Sequence, residues 1–297
     1  MIRQKTFLSR FSYGVIMTIV IAVTLVSLAP IVNTLALSFS SQSYALAGKV
    51  SFWPMGFTLD AYKRILNDSA FFKALIVSIK RVAVGGALNV LLIILMAYPL
   101  SKEKKEFRYR YIYMWVIIFT MLFSGGLIPW YMTIKTYGLI DNFWSLILPG
   151  AVPVFYVILL MNFFREVPKE LEEAAIIDGG GPWSILLRVF VPVSMPAIAT
   201  VTLFSLMGQW NSFFDGLILM NTPAHFPLQT YIQQLIFQFN PDSMANMTPD
   251  QISELMKVSG KSFNAAKIFV TMLPILIIYP RLQKYFITGI VLGSVKG

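Results

Sequence analysis

The chain has no cysteine and a single histidine, His225. Without cysteine there is no disulfide, no thiol nucleophile and no thiolate-held metal. With one histidine there is no histidine cluster for a metal and no nucleophile–histidine–acid set for hydrolysis. Charge is also scarce: 13% of the 297 residues are Asp, Glu, Lys or Arg, against about 25% in soluble domains. Hydrophobic residues make up 57%, so the solvent implied is a bilayer. A net charge of +10 would suit nucleic acid. The basic residues, however, cluster between apolar runs, where they report membrane topology, and no nucleic-acid partner is expected. A phosphate-cradling loop is missing too: Gly260-Lys261-Ser262 resembles its end, but Leu255 stands where its first glycine belongs. No catalytic residue, metal site or bound cofactor is therefore expected in this chain.

What is present is a series of apolar runs. About 20 mostly apolar residues are needed to cross a bilayer as a helix, and six runs qualify: residues 12–37, 82–100, 109–134, 142–164, 194–220 and 267–286. The expected fold is an all-α integral membrane protein with six transmembrane helices. Arg3, Lys5 and Arg10 precede the first run as in a signal peptide, but the run is longer than the roughly 7–15 residues of such a core. Pro30 is expected to kink the first span, Pro149 and Pro153 to interrupt the fourth, and Pro274 and Pro280 to lie inside the sixth. Residues 70–81 are apolar but carry Lys73, Lys80 and Arg81, charges that are costly at mid-bilayer. That piece is expected at the membrane interface, outside the second span.

Six spans put both termini on one side. The short loop 101–110 holds Lys102, Lys104, Lys105, Arg108 and Arg110, and Arg281, Lys284 and Lys296 follow the last span. By the positive-inside rule this side is the cytoplasm. The expected layout is a cytoplasmic N-terminus at 1–11, a six-helix transmembrane core at 12–290 and a cytoplasmic tail at 291–297. The outer loops are 40–69 and 221–266. The second should contain a helix at 228–239 and another starting at Thr248, capped by its hydroxyl.

The connection 166–193 between spans four and five is distinctive. Glu170, Glu172 and Glu173 follow Pro168, a favourable first turn for a helix dipole. Ala174, Ala175, Ile176 and Ile177 continue the helix; Asp178, Gly179, Gly180 and Gly181 should end it. Pro182 can open a second helix, limited by Pro192. By residue chemistry this is a short helix–turn–helix on the cytoplasmic surface, and an amphipathic hairpin resting on lipid fits it equally well.

The motif spacing adds a resemblance. Glu173-Ala-Ala, three residues, Gly179, nine residues, then Val189-x-Val191-Pro192 resembles the EAA motif of ABC importer permeases. Val189, Val191 and Gly180 depart from the family's usual Ile, Leu and Ala. Gln209-Trp210-Asn211, Ala97-Tyr98-Pro99-Leu100-Ser101 and the tail RLQKYFITGIVLGSVKG look like carbohydrate-type members. Within that family the chain is most similar to the subgroup named after the LplC and YtcP permeases, relatives of the maltose importer subunit MalG. The resemblance implies a permease that moves a sugar or oligosaccharide inward by alternating access in a bacterial cell membrane. Its partners would be a second permease subunit, an ATPase dimer that binds ATP and Mg, and an extracellular solute-binding protein, which the outer segment 221–266 would meet. Glu172, Glu173, Ala174, Ala175, Asp178, Gly179, Gly180 and Pro192 would then couple to the ATPase. A self-contained secondary transporter or channel is the alternative, although no internal repeat is visible.

Span five is the most polar. On one continuous helix Ser205, Gly208, Ser212 and Asp215 share a stripe flanked by Gln209 and Asn211. An acid within a span faces protein or water, and amides and carboxylates suit hydroxyl-rich ligands. These residues, with Asn162, Trp130 and Tyr131, are the expected sugar pathway; helix–helix packing is the alternative for the stripe. Lys80 and Arg81 are compatible with an acidic ligand and equally with lipid phosphate. His225 looks like an ordinary loop residue.

Overall fold

A computed structural model of the chain describes residues 7–238 and 260–294. Expectations on Arg3, Lys5, Thr248 and Lys296 lie outside these residues. Among the described residues the structure is helical, and the only strand-like pairing is an isolated bridge between Ser40 and Phe57. This matches the all-α class. Three helices are long and apolar enough to cross a bilayer alone: Phe11–Ser38, Ser69–Ser101 and Lys261–Ile278. Three further pairs qualify only together, each bent at a break: Arg110–Leu122 with Leu127–Thr136 (113°), Phe143–Gly150 with Val154–Arg165 (46°) and Pro182–Val193 with Met195–Asn211 (84°). Counting each bent pair once gives six.

Two compact units hold the described residues. The first lies within Met1–Ser69 and Leu235–Leu273. It contains α1 (Phe7–Ser38), α2 (Gln42–Leu46) and α3 (Asp60–Leu66), together with the start of the last helix, Lys261–Ser294. Pro30 sits inside α1. The loop after α1 is folded back on it: Asn33 Nδ2 donates to the Ser51 carbonyl at 2.6 Å, and Ser38 and the Tyr62 hydroxyl are 2.7 Å apart. Buried Lys267 pairs with Asp68 at 2.6 Å and lies 4.1 Å from the Phe263 ring centroid. The short helices α2 and α3 have no apolar periodicity long enough to announce them.

The second unit lies within Ala70–Gln234 and Pro274–Gly297. Its backbone element is α4 (Ser69–Ser101). This helix begins well before the expected start at residue 82: residues 70–81 are the first turns of a continuous 33-residue helix. At 1.5 Å per residue it is about 50 Å long, well beyond a roughly 30 Å hydrocarbon core. The expected third span is broken into α5 (Arg110–Leu122) and α6 (Leu127–Thr136). Gly126 takes φ +90, and Pro129 falls in the first turn of α6, where a missing N–H costs nothing. The fourth begins as two 3₁₀ turns, with Pro149 in the second and Pro153 before α7 (Val154–Arg165). Then come α8 (Lys169–Ile177) and α9 (Pro182–Ile185), a π turn at Leu186–Phe190, α10 (Val191–Val193) and α11 (Met195–Asn211). Pro192 does not end the second hairpin helix; the π turn just before it absorbs the clash of its ring with the carbonyl four residues back. The break comes at Ser194.

The fifth span also stops early. Ser212 is extended at ψ 125, and α12 (Phe214–Leu219) starts afresh. A broken helix at membrane depth needs partners for its freed carbonyls. Thr230 Oγ1 donates to the Phe213 carbonyl at 2.8 Å, and Arg81 reaches the Ser212 carbonyl at 3.5 Å. Thr230 belongs to α13 (Leu228–Gln238), the expected outer helix. Gly216 lets this corner close: a Cβ there would lie 2.2 Å from Thr230 Oγ1 and 2.9 Å from the Pro227 ring. Gly216→Ala should therefore cost about 1–3 kcal/mol and lower the melting temperature in detergent. Gly208→Ala, where nothing lies within 4 Å, should be neutral or stabilising in the same assay.

Candidate functional site: a coupling hairpin and a polar cavity

The hairpin is built around one glycine. Gly179 takes φ +77. That turn lets its N–H reach the Ile176 carbonyl at 2.9 Å and the Gly180 N–H reach the Ala175 carbonyl at 2.8 Å. These two bonds form the Schellman cap, which satisfies the last carbonyls of α8. Gly180 is needed for a second reason: a Cβ there would sit 2.6 Å from the Ala175 oxygen. Pro182 then opens α9 in its first turn. The second helix anchors the hairpin: Ile185, Leu186 and Phe190 are buried in a core with Phe164 and Leu160. Phe190 meets Tyr98 edge-on at 5.1 Å and Phe164 at 5.5 Å.

Charge fixes the hairpin base. Lys102, just past α4, pairs with Glu172 and stacks over the rings of Tyr98 and Phe190 at 4.6 and 4.4 Å. Lys169 pairs with Glu103, holding that exposed carboxyl below its usual range. Of the expected coupling residues, Glu172 is thus already engaged within the chain, and Ala175 packs against the core. Glu173, Ala174, Asp178, Gly179 and Pro192 are exposed, and Gly180 is half-buried. At the tip, Ile177 is 85% exposed and Trp183 66%, an apolar surface with no cover among the described residues.

The second feature is a cavity of about 920 Å³. Of the expected pathway residues, Ser205, Gln209, Ser212, Asp215 and Trp130 line it. Asn211, Asn162 and Tyr131 do not: Asn211 and Asn162 are exposed elsewhere, and Tyr131 packs beside Ile134 and Leu219. The stripe is also not one helix face, because the break at Ser212 puts Asp215 in the first turn of α12.

Arg81 corrects the sequence reading most. It is buried, 3% exposed, and lines the cavity instead of facing lipid phosphate. Its guanidinium grips the Asp215 carboxylate with both terminal nitrogens, Nη1 to Oδ1 at 3.1 Å and Nη2 to Oδ2. Its Nε donates to Gln209 Oε1 at 3.0 Å. Gln209 passes the chain on, donating to Asn89 Oδ1 at 3.0 Å, and Asn89 donates to the Gly150 carbonyl at 3.0 Å. Glycine at 85 makes room, since a Cβ there would lie 3.1 Å from the Gln209 side chain. Asn89, Tyr156 and Phe204 also line the cavity and were not foreseen. Arg81 and Asn89 are eight residues apart, two turns of one face, and that spacing was the available signal. Ser205 Oγ is buried with no hydrogen-bond partner among the described residues.

A third polar knot joins the turn before the fourth span to residues 221–225. Asp141 takes φ 59 and accepts from the Thr222 hydroxyl at 2.5 Å and from the amides of Asn221 and Thr222. His225 Nδ1 lies 3.0 Å away, so this histidine is paired and not an idle loop residue. The Thr222 hydroxyl, ahead of the other donors, holds the Asp141 carboxyl far below its ordinary range.

These arrangements can be set beside known proteins. The family described as binding-protein-dependent transport system inner membrane component matches residues 80–291. The chain belongs to this family. The permease is 38% identical to Protein LplC of Bacillus subtilis over 92% of this chain and 90% of that protein. It is 36% identical to the polygalacturonan/rhamnogalacturonan transport system permease protein YtcP of the same organism, over 92% and 94%. It superposes with a TM-score of 0.84 and 30% identity on a bacterial ABC transporter chain involved in import of the acidic polysaccharide alginate, covering 95% and 98%. The protein is thus a multi-pass membrane permease subunit of an ABC importer and not an enzyme, which sets aside the self-contained transporter.

Removing one partner of a buried ion pair strands the other. Arg81→Met should cost about 3–5 kcal/mol in detergent unfolding, and Arg81→Met with Asp215→Leu should recover much of the loss. For Asp141 the folded-state pKa is depressed, so its stabilisation is full above the ordinary carboxylate range and fades as pH falls below it. The melting difference between the permease and Asp141→Asn should therefore be largest near neutral pH and shrink on acidification.

Proposed function

We propose that this permease subunit carries a sugar or oligosaccharide into the cytoplasm, driven by an ATPase dimer that docks on the 169–193 hairpin. The observation that carries the reading is the hairpin's construction: a capped turn, a base fixed by Lys102–Glu172, and an uncovered apolar tip at Ile177 and Trp183. A rigid base transmits displacement, and exposed aromatic and aliphatic anchors suit a groove on a partner. The hairpin and both termini lie in the cytoplasm, in keeping with the basic loop 101–110. A second permease completes the pathway, an extracellular binding protein delivers the sugar, and ATP and Mg bind to the ATPase. Closure of the ATPase dimer moves the hairpin as a lever, and the helices around the cavity alternate between faces. Support for the sugar comes from the cavity's mixture of amides, an unpartnered hydroxyl and the stacked Tyr156–Phe204 rings, 6.2 Å apart, since rings cover the C–H faces of pyranoses and amides meet their hydroxyls.

The permease should copurify with an ATPase and a second permease. Trp183→Asp together with Ile177→Asp should lower sugar-stimulated ATP hydrolysis by at least roughly tenfold, the loss of about 1.4 kcal/mol or more of docking energy, while leaving the permease folded. Stimulation that survives these changes and replacement of Glu173 and Gly179 would refute the docking assignment.

A further inference from the structure

We propose that the Arg81–Asp215 pair makes this wall of the cavity selective for uncharged sugars over uronic-acid sugars. The inference rests on the carbohydrate reading above and adds the electrical class of the ligand. Among the described residues lining the cavity, Arg81 and Asp215 are the two that carry charge, and each neutralises the other. Lys80, next in sequence, is not in the lining.

Accessibility decides what a ligand meets. The Asp215 side chain is 18% exposed and that of Arg81 is 4%. The guanidinium therefore lies behind the carboxylate, with its Nε already on Gln209 and both terminal nitrogens on Asp215. An incoming carboxylate wants that same two-pronged grip. To obtain it the ligand must expel Asp215, leaving a second carboxylate unpaired beside it, and like charges so placed repel. A sugar hydroxyl needs no such exchange. Asp215 Oδ1 is saturated by Arg81, Ser212 Oγ and the Gly216 N–H, whereas among the described residues Oδ2 accepts only from Arg81 and can take one more O–H. Rejection of the wrong ligand by an occupied charge is a recognised route to specificity. The acid ligand named for the structural neighbour therefore does not carry over to this wall.

The test uses the assembled importer, purified in detergent without its delivery protein so that only the membrane site is read. It is titrated calorimetrically with maltotriose, xylotriose and trigalacturonate. The neutral trisaccharides should bind at least roughly tenfold tighter than trigalacturonate, the scale of one partly screened charge contact. Asp215→Asn keeps the side-chain shape but leaves Arg81 uncompensated, and it should shift the ratio at least roughly tenfold toward trigalacturonate. Arg81→Gln with Asp215→Asn should restore it. Trigalacturonate binding as tightly as the neutral sugars to the unaltered importer overturns the proposal, as does an unchanged ratio in a folded Asp215→Asn importer. If that variant fails to assemble, the ratio of the unaltered importer still decides. Binding of none of the three sugars overturns the carbohydrate reading and the proposal with it, a result distinct from a reversed preference.

Discussion

A guanidinium within a membrane protein has to be met by a carboxylate and by acceptors for its remaining protons, and the second unit is arranged around meeting that demand for Arg81. Asp215 supplies the countercharge, Gln209 takes the Nε proton, and the Ser212 carbonyl, freed by the helix break, lies beside the same group. Pairing a buried cation and satisfying a broken helix are each costly alone. Here one residue addresses both. The break is what turns Asp215 toward α4, and Arg81 is what makes the break tolerable. Gly85 and Gly86 belong to the same solution, because a side chain at 86 would collide with Leu206 and one at 85 would crowd Gln209.

The hairpin solves a different problem with similar economy. Its turn needs positive φ at Gly179 and bare backbone at Gly180, and its second helix needs a way past Pro192. The π turn at Leu186–Phe190 provides that passage while keeping Phe190 between Tyr98 and Phe164. The result has a stiff inner face, tied to the end of α4 through Lys102, and an outer tip whose apolar residues are left for a partner. Glu172 shows how motif membership and role can separate: it lies in the acidic first turn, yet its carboxylate is spent inside the chain.

Much of this was legible in the residues. The six apolar runs, the glycine stop at Asp178–Gly181, the helix start at Pro182 and the interruptions at Pro149 and Pro153 all follow from local chemistry and reappear in the structure. Breaks that depend on long-range partners did not show. Nothing local in 209–215 announces a stop, because the partners that stabilise it are Arg81, over a hundred residues earlier, and Thr230 beyond the turn. The pairing of Arg81 was hidden for the same reason: the counterion of this charge, Asp215, lies over a hundred residues further along the chain. Asn211 falls outside the cavity lining for a related reason: the helix on which the stripe was drawn ends there, and Asp215 belongs to the next one.

The distance between Arg81 and Asp215 along the chain, 134 residues, also sets a clock on biogenesis. At a synthesis rate of roughly 5–20 residues per second, the arginine exists for on the order of ten seconds before its counterion is made. Until then α4 carries this cation without the carboxylate that it meets in the folded chain, and a charge of this kind held at the bilayer centre costs about 2.5–3.5 kcal/mol on insertion. Insertion and folding are therefore separate events for this helix. It is placed by its own hydrophobicity first and locked only when the fifth span arrives, so any delay between them prolongs the time the permease spends half-built in the bilayer.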